Sequence, residues 1–139
     1  MNAPTENGLD VAETLAELRS ALETRIDASE ITDLIDDRLI ELRWHYRKHH
    51  NEFSDDGIRF LRSLRRVRGA LDSLDEVLYE VREVRTQGHA QEVIARLFWI
   101  EDQLVPYRVA IHAKEAREKL LRVAEHLPNF LPGDASRFL

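Results

Sequence analysis

Apolar residues recur along most of the chain at alternating gaps of three and four, the spacing of one face of an α-helix. Four such stripes follow one another, over residues 11–22, 35–53, 60–81 and 93–111. Strict alternation of apolar and polar residues, which marks a β-strand, does not occur in them. A mean period of about 3.5 residues keeps each stripe on a partner helix, as in coiled coils. The pattern predicts an all-α protein with four main helices.

Residues that start and stop helices stand between the stripes. Asp27 is placed to cap the second helix, residues 54–57 separate the second from the third, and Gly88 is placed to stop the third. Pro106 lies inside the fourth stripe, so we predict that the fourth helix is kinked or broken there. Short loops between long helices favour antiparallel neighbours, and hence an up-and-down bundle.

The length of 139 residues and an apolar content of 43% fit one folded domain, which we place at residues 9–127. Residues 1–8 are predicted to be disordered. Residues 128–139 are predicted to form an irregular tail that packs on the bundle or on a partner, because this segment keeps Phe130, Leu131, Phe138 and Leu139.

Composition excludes several kinds of chemistry and of location. The chain has no cysteine, which excludes disulfides, thiolate metal sites and cysteine nucleophiles. The first residues lack the basic and apolar segments of a signal peptide, and no run approaches the eighteen or so apolar residues of a membrane span. We therefore expect a cytoplasmic protein with no membrane partner.

Several large apolar residues lie outside the stripes. A helix that is apolar on more than one side must contact more than one neighbour. Burial of a tryptophan removes about 150–250 Å² from water, so leaving two exposed would be costly. Two-fold pairing is the commonest assembly, and we predict a homodimer. The interface is expected to include Ile40, Trp44, Phe98 and Trp99.

Positive charge is concentrated in one segment of an acidic chain. Residues 43–68 hold eight cationic and three acidic side chains, a surplus of five positive charges, while the remainder has a surplus of eleven negative charges and brings the total to −6. The segment joins the end of the second helix to the start of the third, so its cations should gather at one end of the bundle. Such a basic end could be an ordinary solvated surface or could bind an anionic partner. The candidate binding residues are Arg43, Arg47, Lys48, Arg59, Arg62, Arg65 and Arg66.

The same segment contains a group of histidines, since His45, His49 and Glu52 share one face at helical spacing. We favour a structural role in which His49 lies in the apolar stripe and the other two flank it. A second interpretation places the histidines in an anion-binding or pH-responsive contact. A third is a metal site. Counted along continuous helices, His112 lies level with His49 and is followed by Glu115, so the five side chains could bind zinc or iron.

The sequence favours a non-catalytic interaction module with no cofactor. Its basic end would contact an acidic protein, a phosphorylated ligand or nucleic acid, although no nucleic-acid reader motif occurs. One alternative is an iron- or zinc-binding bundle with an oxidative or storage role.

A second alternative is a small helical enzyme acting on an anionic metabolite. Ala95–Gln103 resembles the last helix of the all-helical chorismate mutases, which hold a dicarboxylate with arginines inside a helical dimer. The resemblance is confined to that segment. We assign no lysine of this chain to the family's catalytic lysine, and the catalytic residues of such an enzyme stay unknown.

Overall fold

A computed structural model of the chain describes residues 9–130. Within that range 82% of the residues are helical and there is no strand, which confirms the all-α prediction. The expectations for residues 1–8 and 131–139 lie outside the described residues. The described residues divide into two compact units, one containing residues 9–69 and 107–109, the other residues 70–106 and 110–130. The single domain expected over residues 9–127 stays a prediction.

The first unit is built from α1 (Val11–Thr24), α2 (Ala28–Lys48), a 3₁₀ turn (His50–Glu52) and the first half of α3 (Asp55–Val81). The carboxylate of Asp27 accepts hydrogen bonds from the backbone N–H groups of Ser29 and Glu30, so the predicted cap of α2 is confirmed. Three residues connect α1 to α2, which makes the two helices neighbours. The core contains Leu18, Leu22, Ile31, Ile35, Leu42 and Leu64, all at most 1% exposed.

Ser54 begins α3. Its hydroxyl accepts a hydrogen bond from the N–H of Gly57, and its carbonyl accepts one from the N–H of Ile58. Gly57 is buried, and a Cβ added there would stand 3.1 Å from Cδ1 of Leu15. The glycine therefore allows α1 and the start of α3 to approach closely.

The second unit holds the rest of α3, then α4 (Gln87–Leu104) and α5 (Ile111–Ala124). The expectation that Gly88 stops the third helix is wrong, because α3 ends at Val81 and Gly88 lies in the first turn of α4. The hydroxyl of Thr86 caps α4 by accepting a hydrogen bond from the N–H of His89.

The predicted fourth helix is broken rather than kinked. α4 ends at Leu104, and a turn with a cis Val105–Pro106 peptide bond and a 3₁₀ segment (Arg108–Ala110) leads into α5. α5 runs back along α4, since Arg117 pairs with Glu101 and the N–H of Gln87 donates to the carbonyl of Pro128. Residues 87–124 thus form an antiparallel helical hairpin instead of one long helix. Among residues 9–130, no helix combines the length and the apolar character needed to cross a membrane.

Candidate anion-binding cleft

Two arginines near the end of α2 form one wall of the cleft. Arg43 and Arg47 stand four residues apart, so they lie one above the other on the same helix face, and both are exposed. Tyr46 lies between them in sequence and is half-buried. Its ring packs edge-on against Phe53, with the ring centroids 5.2 Å apart and the planes at 85°, which fixes the ring at the base of the wall.

Two arginines of α3 form the opposite wall. Arg62 and Arg65 are three residues apart on one face of the helix, and both are exposed. Ile58 precedes Arg62 by one turn and is half-buried, while Leu61 is only 9% exposed. The chain returns from α2 to α3 through the 3₁₀ turn and Ser54, so the two helix faces meet at the end where the sequence places its cations.

Together these side chains enclose a cleft of about 250 Å³ lined by Arg43, Tyr46, Arg47, Ile58, Leu61, Arg62 and Arg65. Four exposed arginines line it, and its less exposed floor consists of two aliphatic side chains and one aromatic ring. An anion entering such a cleft finds charge at the walls and apolar surface beneath them.

The four guanidinium groups are not neutralised by the described part of the chain. Within residues 9–130, none of Arg43, Arg47, Arg62 and Arg65 has a carboxylate oxygen within 4.0 Å. Two other arginines of the same unit do have carboxylate partners, since Arg19 pairs with Asp56 at 2.6 Å and Arg68 pairs with Asp36 at 2.6 Å. Four positive charges on one concave surface produce a positive potential that attracts anions.

The remaining members of the predicted basic set lie outside the cleft lining. The ammonium group of Lys48 stands 5.0 Å from the ring centroid of Trp44. Arg59 lies 4.0 Å from Asp56, an exposed and weak pair. Arg66 is exposed and does not line the cleft. Four of the seven candidate cations therefore line one concavity, and three do not.

The histidines occupy different positions from those the heptad pattern predicts. His45 is fully buried, whereas His49 is 28% exposed and is the C-cap of α2. Nε2 of His45 donates a hydrogen bond to Oε2 of Glu52 at 2.5 Å, and the ring of His49 lies 4.7 Å from that of His45. The prediction of His49 in the stripe with His45 at its edge is therefore wrong. α2 ends at Lys48, so residues beyond it leave the helical register.

The metal hypothesis finds no matching arrangement in the described residues. Within residues 9–130, no group of three or more His, Asp or Glu side chains could hold a metal ion. The residue count that placed His112 level with His49 assumed a continuous fourth helix. The break after Leu104 shows that this assumption does not hold. His112 is half-buried at the second residue of α5, and Glu115 is exposed one turn later.

The four apolar residues predicted for a dimer interface are all exposed. In the first unit Ile40 is 72% and Trp44 54% exposed, and they line a groove of about 390 Å³ together with Glu41, Arg43 and Arg47. In the second unit Phe98 is 61% and Trp99 50% exposed. Where exposed apolar residues form one contiguous patch, the patch is typical of a surface that contacts another molecule.

Sequence reasoning missed the floor of the cleft, namely Tyr46, Ile58 and Leu61. A signal was available, because each lies one to four residues from a lining arginine on its own helix. No protein-family model, curated protein or solved structure matches the chain.

Proposed function

We propose that this chain is a non-catalytic helical interaction module that binds an anionic partner through the cleft between α2 and α3. In this proposal the module is a cytoplasmic homodimer whose helices form an up-and-down bundle. Its self-association uses the apolar surfaces at Ile40 and Trp44 and at Phe98 and Trp99.

The observation that carries the proposal is a cleft lined by four arginines that have no carboxylate partner within residues 9–130. Arginines that serve only as a solvated surface need not line one cleft. In the same unit, Arg19 and Arg68 form ion pairs with carboxylates. Guanidinium groups hold carboxylates and phosphates through two parallel N–H···O bonds, so the cleft is suited to such groups. The lining consists of guanidinium groups, a phenol and aliphatic side chains, which is a set for binding rather than for proton transfer or nucleophilic attack.

The proposal is tested by titrating the protein into a fluorescein-labelled polyglutamate peptide and following fluorescence anisotropy. We expect saturable binding that weakens steeply as salt is raised, because the contact is electrostatic and exposed. Arg62→Gln combined with Arg65→Gln should reduce the affinity by about tenfold or more, if each lost charge-assisted hydrogen bond contributes about 1–2 kcal/mol.

The matched control is Arg66→Gln, which removes the same charge from the same helix outside the cleft lining. It should change the affinity by less than about threefold, because it lowers only the overall positive potential around the cleft. Binding that ignores salt, or that falls equally in the control, would contradict the proposal.

A further inference from the structure

We infer that the ligand of this cleft is a phosphomonoester dianion carried on an apolar or aromatic stem, such as a phosphorylated tyrosine side chain. The inference rests on the proposed function, because it names the kind of anion that the proposed binding cleft takes.

The charge of the cleft points to a compact ligand with more than one negative charge. Two guanidinium groups stand on each wall of a cleft of about 250 Å³, and none is neutralised by a carboxylate of residues 9–130. One carboxylate brings a single negative charge and two oxygens. A phosphomonoester near neutral pH brings between about 1.5 and 2 negative charges and three acceptor oxygens at one atom, so it can accept from several guanidinium groups at once.

The floor of the cleft points to the stem. Leu61 and Ile58 present aliphatic surface, and Tyr46 presents an aromatic ring held by edge-on contacts with Phe53 and with His50. Inorganic phosphate would leave this surface wet. An aromatic stem would cover it, and burial of apolar area contributes about 25 cal/mol per Å².

Nucleic acid matches the cleft less well. Backbone binding to a nucleic acid requires a track of cations along repeated phosphates, together with aromatic platforms for single-stranded bases. Here the four cations line one concavity, and within the described part of the chain Tyr46 is the one aromatic residue that lines it. The geometry suits one phosphate rather than a row of them.

The test compares phenyl phosphate with phenyl sulfate by isothermal titration calorimetry on the full chain. The two ligands share a shape and a stem, but the sulfate carries one negative charge at every pH used. We expect the phosphate to bind at least about tenfold more tightly at about pH 7.5. The preference should disappear at about pH 5, since the second ionisation of a phosphomonoester has a pKa of about 6. Equal affinity for the two ligands at about pH 7.5 would overturn the inference.

Variants locate the effect in the cleft. Arg47→Gln and Arg62→Gln should each abolish the preference for phosphate, while Arg66→Gln should keep it. Tyr46→Ala should remove the advantage of phenyl phosphate over inorganic phosphate without removing binding of the phosphate itself. Loss of the preference in the Arg66 variant to the same degree would overturn the assignment to this cleft.

The outcomes separate this inference from the proposed function. Binding of polyglutamate without any preference for phenyl phosphate would overturn the dianion inference and leave the anion-binding module intact. If neither polyglutamate nor phenyl phosphate binds, both the dianion inference and the proposed anion-binding function are overturned. Between the two sources of the same chemistry, a phosphotyrosine peptide that binds more tightly than phenyl phosphate indicates a phosphorylated protein, and equal affinity indicates a free aryl phosphate.

Discussion

Nε2 of His45, a fully buried side chain, donates a hydrogen bond to Oε2 of Glu52 at 2.5 Å. Along a continuous helix these two residues would be about 10 Å apart, at 1.5 Å per residue. They meet because α2 ends at Lys48 and the 3₁₀ turn folds Glu52 back over the last turn of the helix. The pair therefore fixes the connection that leads from one wall of the cleft to the other.

Removal of the carboxylate should destabilise the protein. In Glu52→Ala the buried Nε2 of His45 loses its partner, while Nδ1 already has none within residues 9–130. A buried donor left without a partner costs about 1–3 kcal/mol. Urea unfolding followed by circular dichroism measures the change. Glu115→Ala, at an exposed carboxylate of α5, should stay within about 0.5 kcal/mol of the parent, and a loss as large there would contradict this role for Glu52.

The sequence predicted the helices well, but it did not predict the reversal of chain direction between α4 and α5. Buried Leu18, Ile35, Leu64 and Leu97 all come from the predicted stripes, because burial on a helix follows its period. The reversal after Leu104 escaped prediction because Tyr107 and Ile111 continue the apolar spacing through the turn. Periodicity alone cannot distinguish a kinked helix from a hairpin when the turn itself carries apolar residues.

The candidate site was predicted in part for a similar reason. The clustering of arginines between residues 43 and 68 was visible from charge alone. Which of them line a concavity depends on the angle at which each helix face meets the other, and no local pattern encodes that angle. His45 is buried three residues after Leu42, a step that helical spacing also allows, and His49 leaves the helical register because α2 ends at Lys48.

The hairpin of α4 and α5 should depend on one bidentate ion pair. Nε and Nη2 of Arg117 donate to Oε2 and Oε1 of Glu101 at 2.8 and 3.3 Å, and the guanidinium also lies 5.4 Å from the ring centroid of Phe98. Hydrogen bonding to Glu101 raises the pKa of Arg117. Both side chains are about one-fifth exposed, so Arg117→Ala should cost about 1–3 kcal/mol, between the values for surface and buried pairs.

Arg117→Lys should recover only part of that loss, since an ammonium group cannot make the two parallel bonds. A double-mutant cycle with Glu101→Ala measures the coupling by urea unfolding. Arg122→Ala, on the exposed side of α5, is the matched control and should have almost no effect. A coupling energy near zero would show that the pair does not hold the hairpin.

The two glycines of α3 should respond to alanine in different ways. Gly69 lies in the interior of α3 with open space around it, so Gly69→Ala should stabilise the protein by about 0.5–1 kcal/mol through helix propensity. Gly57→Ala places a methyl group 3.1 Å from Leu15 and should give no gain or a loss. Thermal and urea unfolding of the two variants check the order. A Gly57 variant as stable as the Gly69 variant would show that α1 shifts readily to accommodate the added methyl group.

Self-association should depend on the exposed tryptophan of α2. Light scattering at micromolar concentration should give about twice the chain mass of 16.2 kDa, as expected for a homodimer. Trp44→Lys places a charge in an apolar contact and should shift the mass toward that of one chain. Leu121→Lys makes the same change at a side chain of α5 that is 49% exposed and outside the predicted interface, and it should leave the mass unchanged. A parent protein with the mass of one chain would contradict the dimer.

Acid stability should depend on Glu80, whose carboxylate binds His89 at 2.9 Å and also binds Arg96. The hydrogen bond with His89, followed by that with Arg96, lowers the pKa of Glu80 below its ordinary value of 4.5. A lowered pKa in the folded state means that the stabilisation is complete above the ordinary value and is lost as the pH falls through the folded one. Urea unfolding below about pH 5 should therefore show a steeper loss of stability in the parent than in Glu80→Gln. Glu83→Gln, at an exposed carboxylate one turn away, should retain the steep loss, and equal slopes for the parent and the Glu80 variant would contradict the linkage.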